Sequence, residues 1–145
     1  MSITAPLFQH HKHCDQIFAE AEEACAEGDW ETGARAFALL NNQLETHFTS
    51  EEQVLFPAFE EATGMFSGPT QMMRSEHRQM RELLAQMQGA LESRDADTFD
   101  GAAQTLLILM QQHNMKEENI LYPMCDNALG GSDVGASLAE RLTAS

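Results

Sequence analysis

The sequence predicts an all-α protein, an up-down-up-down antiparallel four-helix bundle followed by a short C-terminal helix or tail. The first observation is an internal repeat. The pattern H-x3-E-E-x2-L-[F/Y]-P occupies residues 47–57 and returns, 66 residues later, at residues 113–123. The second observation is that apolar residues around both copies recur at intervals of three and four, as on one face of a helix. A repeat of this length accommodates one pair of antiparallel helices, and two pairs make a bundle of four.

The composition fits a single domain. The chain has 145 residues, of which 43% are hydrophobic, enough apolar material for one core. We expect one domain over residues 1–145, with the bundle at about 7–127 and a tail over 128–145. Glycines and a serine at 130–132 break the chain. We expect residues 133–142 to form either a short docking helix or a mobile tail.

Two helices are predicted in the first half. The first runs over about residues 7–27 and ends at Gly28, which suits a C-terminal cap. Asp29 can cap the second helix, which covers about residues 30–63. Pro57 lies inside that helix and should kink it or end its regular part, because proline lacks the backbone donor and clashes with the preceding turn.

Two helices are also predicted in the second half. A loop rich in glycine and proline over residues 64–69 separates the halves. The third helix covers about residues 70–93. Asp95 or Asp97 then caps the fourth helix, which runs to about Asn127.

The repeat also relates polar residues. The 66-residue offset pairs His11 with His77, His47 with His113, and Glu51 with Glu117. Each glutamate follows a histidine by four residues, so the imidazole and the carboxylate share one face of a helix. All six residues fall on the apolar stripes that should face the core. An unpaired carboxylate there would lose several kcal/mol of solvation, so the pattern predicts metal binding. Six nitrogen and oxygen ligands suit two octahedral-type ions.

Other polar residues near these positions are not expected to be metal ligands. Glu52 and Glu118 are five residues beyond the repeated histidines, which turns them off the histidine face, so an outer-layer or solvent position is expected. Asp15 is expected in the outer layer or at the surface. His10 and His13 are expected to be exposed.

Cysteine, aromatic and methionine residues also lie near the candidate ligands. Three cysteines without C-x-x-C spacing favour reduced, buried thiols. Cys14 follows His11 by three residues, but its repeat counterpart is a methionine, so we do not expect it to be a ligand. Phe56 and Tyr122 are expected to pack in the core or at the end of the bundle, with a redox or hydrogen-bonding role for Tyr122 as the less favoured alternative. Met73 could line a cavity beside the metals.

These motifs resemble the hemerythrin-like family of cation-binding domains. The resemblance extends from His11 to about Asn127 and rests on four motifs. They are H-x2-C-D at residues 11–15, H-F-x2-E-E-x2-L-F-P at 47–57, E-H at 76–77, and H-x3-E-E-x2-L-Y-P at 113–123. The resemblance implies a four-helix bundle holding two non-haem iron ions, bridged by carboxylates and an oxo group. Its terminal ligands would be His11, His47, His77 and His113, and its bridges Glu51 and Glu117.

One departure separates the chain from the family's oxygen carriers. Those proteins carry a second histidine four residues before the position of His77, where this chain has Met73, a poor ligand for iron. They also carry an Asp five residues after the last histidine, where this chain has Glu118. The four-His, two-Glu set is more similar to bacterial hemerythrin-like proteins and to di-iron proteins implicated in repairing iron centres. Simple oxygen carriage is therefore not the expected function.

Three functional hypotheses follow. The leading one is a metal-dependent binding protein, rather than a dedicated enzyme, that takes up O2 or NO for sensing, storage or detoxification. The alternative is iron donation to, or repair of, iron-sulfur centres, or turnover of peroxide or NO. The repair proteins often carry an extra cysteine-bearing N-terminal segment, for which we expect no room here. The third is a metal-free or mixed-metal bundle that acts through interactions, since these ligands also accept manganese and zinc.

Charge and hydropathy narrow the partners. The formal net charge of −15 argues against nucleic acid and against an anionic membrane surface. The N-terminus lacks the basic start and apolar run of a signal peptide, and no run of 18 apolar residues occurs. A cytoplasmic location is the default expectation.

Overall fold

The predicted helices are present in the computed structural model, which describes residues 2–143. Between those residues the chain is helical and contains no strand. The helices are α1 Ala5–Ala26, α2 Trp30–Ser50, α3 Phe56–Thr63, α4 Pro69–Ser93, α5 Ala96–Lys116, α6 Tyr122–Leu129 and α7 Val134–Thr143. Two π-helical segments, Glu51–Leu55 and Glu117–Leu121, join α2 to α3 and α5 to α6. Nowhere in this described part is a helix long and apolar enough to cross a membrane.

The helix ends follow the sequence signals. The Asp29 side chain accepts a hydrogen bond from the backbone N–H of Thr32 at 3.2 Å. Asp95, rather than Asp97, caps α5 by accepting from the backbone N–H of Thr98 at 3.1 Å. Gly28 follows α1 with a φ of +78°, a conformation that glycine adopts without a steric penalty. These caps fix where each antiparallel pair turns.

The second predicted helix runs on without a break in the chain's path, but its backbone hydrogen bonds change from α-helical to π-helical and back. The π-helical segment Glu51–Leu55 ends just before Phe56, whose N–H donates to the Glu51 carbonyl five residues back. Pro57 then lies in the first turn of α3, where a missing backbone donor is tolerated. The irregularity expected from Pro57 therefore lies before the proline, and Pro123 follows the other π-helical segment in the same way.

The helices form the predicted bundle. Helix α1 packs along α2 and α4 packs along α5, while α2 also contacts α4 and α1 also contacts α5. Helices α2 and α5 consequently lie on one diagonal of the bundle. This arrangement turns both H-x3-E units toward the bundle axis.

Two apolar clusters lie above and below the six candidate ligands along the bundle. One is built around Phe37, Met87 and Leu106, and the other around Leu55 and Leu121. Between these clusters lie the four candidate histidines, one on each of the long helices α1, α2, α4 and α5, and the two glutamates, each at the start of a π-helical segment. They therefore form a polar layer enclosed by apolar material on both sides.

The C-terminal segment is a docked helix rather than a mobile tail. Helix α7 contacts α1 and α2, and it buries Leu138 and Leu142 in the second apolar cluster. The last two residues of the predicted tail lie outside the described residues. Docking of α7 closes the end of the bundle beyond the polar layer.

Candidate metal centre

All six predicted ligands converge in the polar layer, and all six are buried. Their ligand atoms form two groups, each with atoms within 4.8 Å of one another. Position A comprises His11, His47 and Glu117. Position B comprises Glu51, His77, His113 and Glu117. Glu117 belongs to both groups, so its carboxylate could contact a metal ion at either position.

Each carboxylate faces two imidazoles. Glu117 Oε1 lies 3.1 Å from His11 Nε2 and 3.4 Å from His113 Nε2. Glu51 lies 3.0 Å from His77 Nε2 and 3.7 Å from His47 Nε2. One contact of each carboxylate comes from its own H-x3-E unit and the other from a different helix pair. The tertiary fold is therefore needed to complete both positions.

Two atoms of the layer lack a hydrogen-bond partner in the described chain. They are His113 Nε2 and Glu117 Oε2, both fully buried and both at position B. Leaving a buried polar atom unsatisfied costs about 1–3 kcal/mol. A cation at position B would engage both atoms, and imidazole with carboxylate is a donor set that iron accepts. The residues present thus fit a metal.

An outer layer of carboxylates orients three of the histidines. The Nδ1 of His11 is 2.6 Å from Glu118, that of His77 is 2.7 Å from Glu52, and that of His113 is 2.8 Å from Glu76. A carboxylate at Nδ1 fixes the proton there and leaves Nε2 free to bind a metal. Glu52 and Glu118 turn away from their own histidine, as expected, and each reaches the histidine of another helix.

The prediction that His10 is exposed is wrong. The His10 ring is buried, and its Nδ1 lies 2.9 Å from the Nδ1 of His47. His10 occupies the repeat position of Glu76, which contacts His113 in the same way. That correspondence was the available signal, but a histidine in place of an acid obscured it. His13 is exposed, as expected.

Tyr122 makes hydrogen bonds in the polar layer, which was the less favoured expectation from the sequence. Its hydroxyl donates to Glu51 at 2.7 Å and to Glu117 at 3.0 Å, and it lies 3.3 Å from His11 Nε2. Its repeat counterpart Phe56 has no hydroxyl and packs against the His77 ring at 5.8 Å. Tyr122 is buried in the apolar cluster built around Leu55 and Leu121, as Phe56 is, so the preferred expectation of packing is confirmed for both residues. The hydroxyl of Tyr122 makes its hydrogen bonds in addition to that packing.

The remaining candidates do not join the metal groups. Cys14 is buried, and its sulfur lies 3.7 Å from His10 Nδ1 rather than against a carboxylate. Asp15 is exposed. Met73 packs in the apolar cluster built around Leu55 and Leu121, next to the polar layer. The three cysteines are reduced and buried, as expected.

The carboxylates and imidazoles shift each other's protonation in the metal-free protein. Burial and the charge of Glu117 raise the pKa of Glu51 to about 7. Burial alone would lower the pKa of His113, but the Glu117 and Glu76 carboxylates raise it to about 10. Burial and the charge of His11 lower the pKa of His47, which keeps that ring neutral. The layer binds protons in the absence of metal and would release them on metal binding.

Comparison with known proteins decides the family. The family model described as the hemerythrin HHE cation-binding domain matches residues 2–125, which include all six candidate ligands. The chain belongs to the hemerythrin HHE family. Its HHE domain contains both copies of the H-x3-E-E motif and the four long helices α1, α2, α4 and α5, which carry the candidate histidine ligands.

Two relatives of this HHE domain are named iron-sulfur cluster repair protein YtfE. The protein from Edwardsiella ictaluri (strain 93-146) is 28% identical over 134 residues, which cover 79% of this chain and 59% of the relative. The protein from Enterobacter sp. (strain 638) is 31% identical over 100 residues, or 62% of this chain and 45% of the relative. The HHE domain thus spans about half the length of these relatives. No solved structure matches it significantly.

Proposed function

We propose that the chain holds two non-haem iron ions and binds O2 or NO at them. The ligands would be His11 and His47 at position A, Glu51, His77 and His113 at position B, and Glu117 at both. The observation that carries the proposal is the buried layer of four imidazoles and two carboxylates, in which position B leaves His113 Nε2 and Glu117 Oε2 without a hydrogen bond in the described chain.

Bound in this layer, reduced iron would supply the electrons and open coordination positions that capture of a diatomic ligand requires. The protein's own part is to hold the imidazoles with Nε2 inward, which the outer carboxylates do. The apolar rings of Phe48 and Phe56 cover His77 at 4.4 and 5.8 Å and keep water from that side. The Tyr122 hydroxyl offers a hydrogen bond between the two positions.

A surface cleft supports access for a small molecule. It has a volume of about 200 Å³ and is lined by Tyr122, Glu118 and Phe8, among others. Tyr122 and Glu118 both contact His11 of position A. A diatomic ligand entering here would meet position A first, whereas the Phe48 and Phe56 rings cover His77 at position B.

The test uses tag-free protein loaded with Fe2+ and kept anaerobic. Addition of O2 or NO should produce a ligand-dependent near-ultraviolet or visible band, saturating at a fixed ratio of ligand to protein. His47→Ala should reduce both the iron content and the band. His13→Ala, at an exposed histidine, is the matched control and should change neither. A fully iron-loaded protein with an unchanged spectrum would rule out this function.

A second function, iron donation to or repair of iron-sulfur centres, is favoured by the names of the relatives. It predicts that, with sulfide, a reductant and a chelator present, the iron-loaded chain restores an apo-cluster protein faster than an equal concentration of free Fe2+. Stoichiometric binding of O2 or NO without such transfer would favour the first function. Catalytic loss of NO or peroxide with a reductant would instead assign turnover to the centre.

A further inference from the structure

The two repeats differ most at the Nδ1 atom of one ligand. His11, His77 and His113 each donate to a carboxylate, whereas His47 faces a second histidine ring, that of His10. His10 in turn lies 2.8 Å, through its Nε2, from the side-chain oxygen of Gln43. The repeat counterpart of Gln43 is Leu109, which cannot accept a hydrogen bond. The first repeat therefore has a Gln43–His10–His47 relay where the second has Glu76 on His113.

The direction of the relay follows from its ends. The Gln43 amide nitrogen faces Asn42 Oδ1 at 3.5 Å, which turns the amide oxygen toward His10. An oxygen can only accept, so His10 carries a proton on Nε2. A metal at His47 Nε2 requires the His47 proton to lie on Nδ1, and in this pair that N–H can only be accepted by a lone pair on His10 Nδ1. His10 is then a neutral ring that accepts from His47.

The geometry points to Gln43 and His10 as positioning residues that hold His47 in its metal-binding tautomer through a neutral relay, which makes position A the first to release its metal. This inference rests on the proposed two-ion centre. A neutral acceptor polarises an imidazole less than a carboxylate does, and outer partners of metal ligands change affinity by about 10–100-fold. Position A also gathers three candidate ligands against four at position B.

One electrostatic effect opposes this order. At position B the outer carboxylates are paired with cations, Glu52 with Arg81 at 2.9 Å and Glu76 with Lys116 at 2.6 Å, and these cations repel a metal. Their side chains are 31% and 42% exposed, so solvent screens them. The hydrogen-bonded carboxylates lie between the cations and the histidines. Direct polarisation of the ligands therefore outweighs the screened repulsion.

The first experiment measures metal release. The Fe2+-loaded full chain is mixed anaerobically with an excess of a chromogenic Fe2+ chelator, and release is followed with time. The wild type should lose iron in two phases of equal amplitude, with position A in the fast phase. Gln43→Leu, which installs the residue of the second repeat, should accelerate the fast phase by about 10–100-fold and leave the slow phase unchanged.

Two further variants should reduce the difference in release rate between positions A and B. His10→Glu gives the first repeat the acid of the second and should slow the fast phase toward the slow one. Glu76→Gln should accelerate the slow phase and leave the fast phase unchanged. Melting of each metal-free variant separates a folding defect from an effect on the metal. Gln43→Glu, which charges the relay from its outer end, replaces His10→Glu if that variant does not fold, and it should also slow the fast phase.

The second experiment reads the tautomer directly and needs no variant. In Zn2+-loaded protein labelled with ¹⁵N-histidine, NMR should show His10 neutral, with its proton on Nε2. A proton on Nδ1, or on both nitrogens, would overturn the relay. Two bound ions released in one phase, or phases unchanged by Gln43→Leu, would also overturn it. A wild type that binds fewer than two ions would instead refute the two-ion centre itself.

Discussion

Replacing Tyr122 by Phe removes a single hydroxyl from the middle of the candidate metal centre and gives the second repeat the residue type of Phe56. The hydroxyl donates to Glu51 at 2.7 Å and to Glu117 at 3.0 Å. A hydrogen bond to a charged group is worth about 1.5–3 kcal/mol, and one proton serves both acceptors in turn. We therefore expect the metal-free variant to lose about 2 kcal/mol of stability, or about 4–8 °C in melting temperature.

The same substitution should have a smaller effect on the metal-loaded protein. With ions present, the Glu51 and Glu117 oxygens have the metal as a partner, so loss of the hydroxyl does not leave them unsatisfied. Urea unfolding followed by circular dichroism, on loaded and metal-free samples of both proteins, gives the two differences. Equal stability of metal-free wild type and Tyr122→Phe would refute the hydrogen-bond network. An equal loss in both states would refute metal coordination by the carboxylates.

Three further outcomes are expected. Glu117→Gln should abolish most metal binding because Glu117 belongs to both positions, whereas Glu51→Gln should spare position A; elemental analysis distinguishes them, and equal losses would contradict the assignment. In the metal-free protein the pKa of His113 is raised from 6.5 to about 10, so its stabilising contribution is complete below pH 6.5 and is lost as the pH rises through 10. Urea unfolding across that range should show falling stability, with a smaller fall in His113→Gln; an unaltered fall would argue against the raised pKa. Gly33→Ala should lose about 1–3 kcal/mol, because its Cβ would meet a cysteine sulfur at 2.5 Å, while Gly89→Ala, with nothing within 4 Å, should gain about 0.5–1 kcal/mol. Equal melting temperatures for these two variants would contradict the packing.

The repeat made both the fold and the convergence of six residues predictable, because the same spacing that defines the helices also relates the candidate ligands. A histidine on a core-facing stripe is ambiguous alone, but His47 and Glu51 recur in register as His113 and Glu117, and only a bundle brings such pairs together. The helix cap at Asp29 was likewise predictable from the local sequence, since a side-chain acceptor directly before a helix bonds to the free N–H groups of the first turn.

The rest of the site depends on contacts that the repeat does not preserve. The Tyr122 hydroxyl reaches across the bundle to Glu51, and its counterpart Phe56 gives no indication of this contact. His10 aligns with Glu76, yet an acid and a neutral imidazole suggest opposite environments. The π-helical turns arise from the backbone ahead of Pro57 and Pro123, and side-chain periodicity does not distinguish them from a regular helix.

The proposed function requires one chain to hold two iron ions in a layer of four histidines and two glutamates. Elemental analysis of tag-free, anaerobically purified protein, paired with absorption spectra before and after exposure to air, tests this directly. We expect about two irons per chain and a band that appears on oxidation. One zinc ion per chain, or no metal at saturating Fe2+, would contradict it.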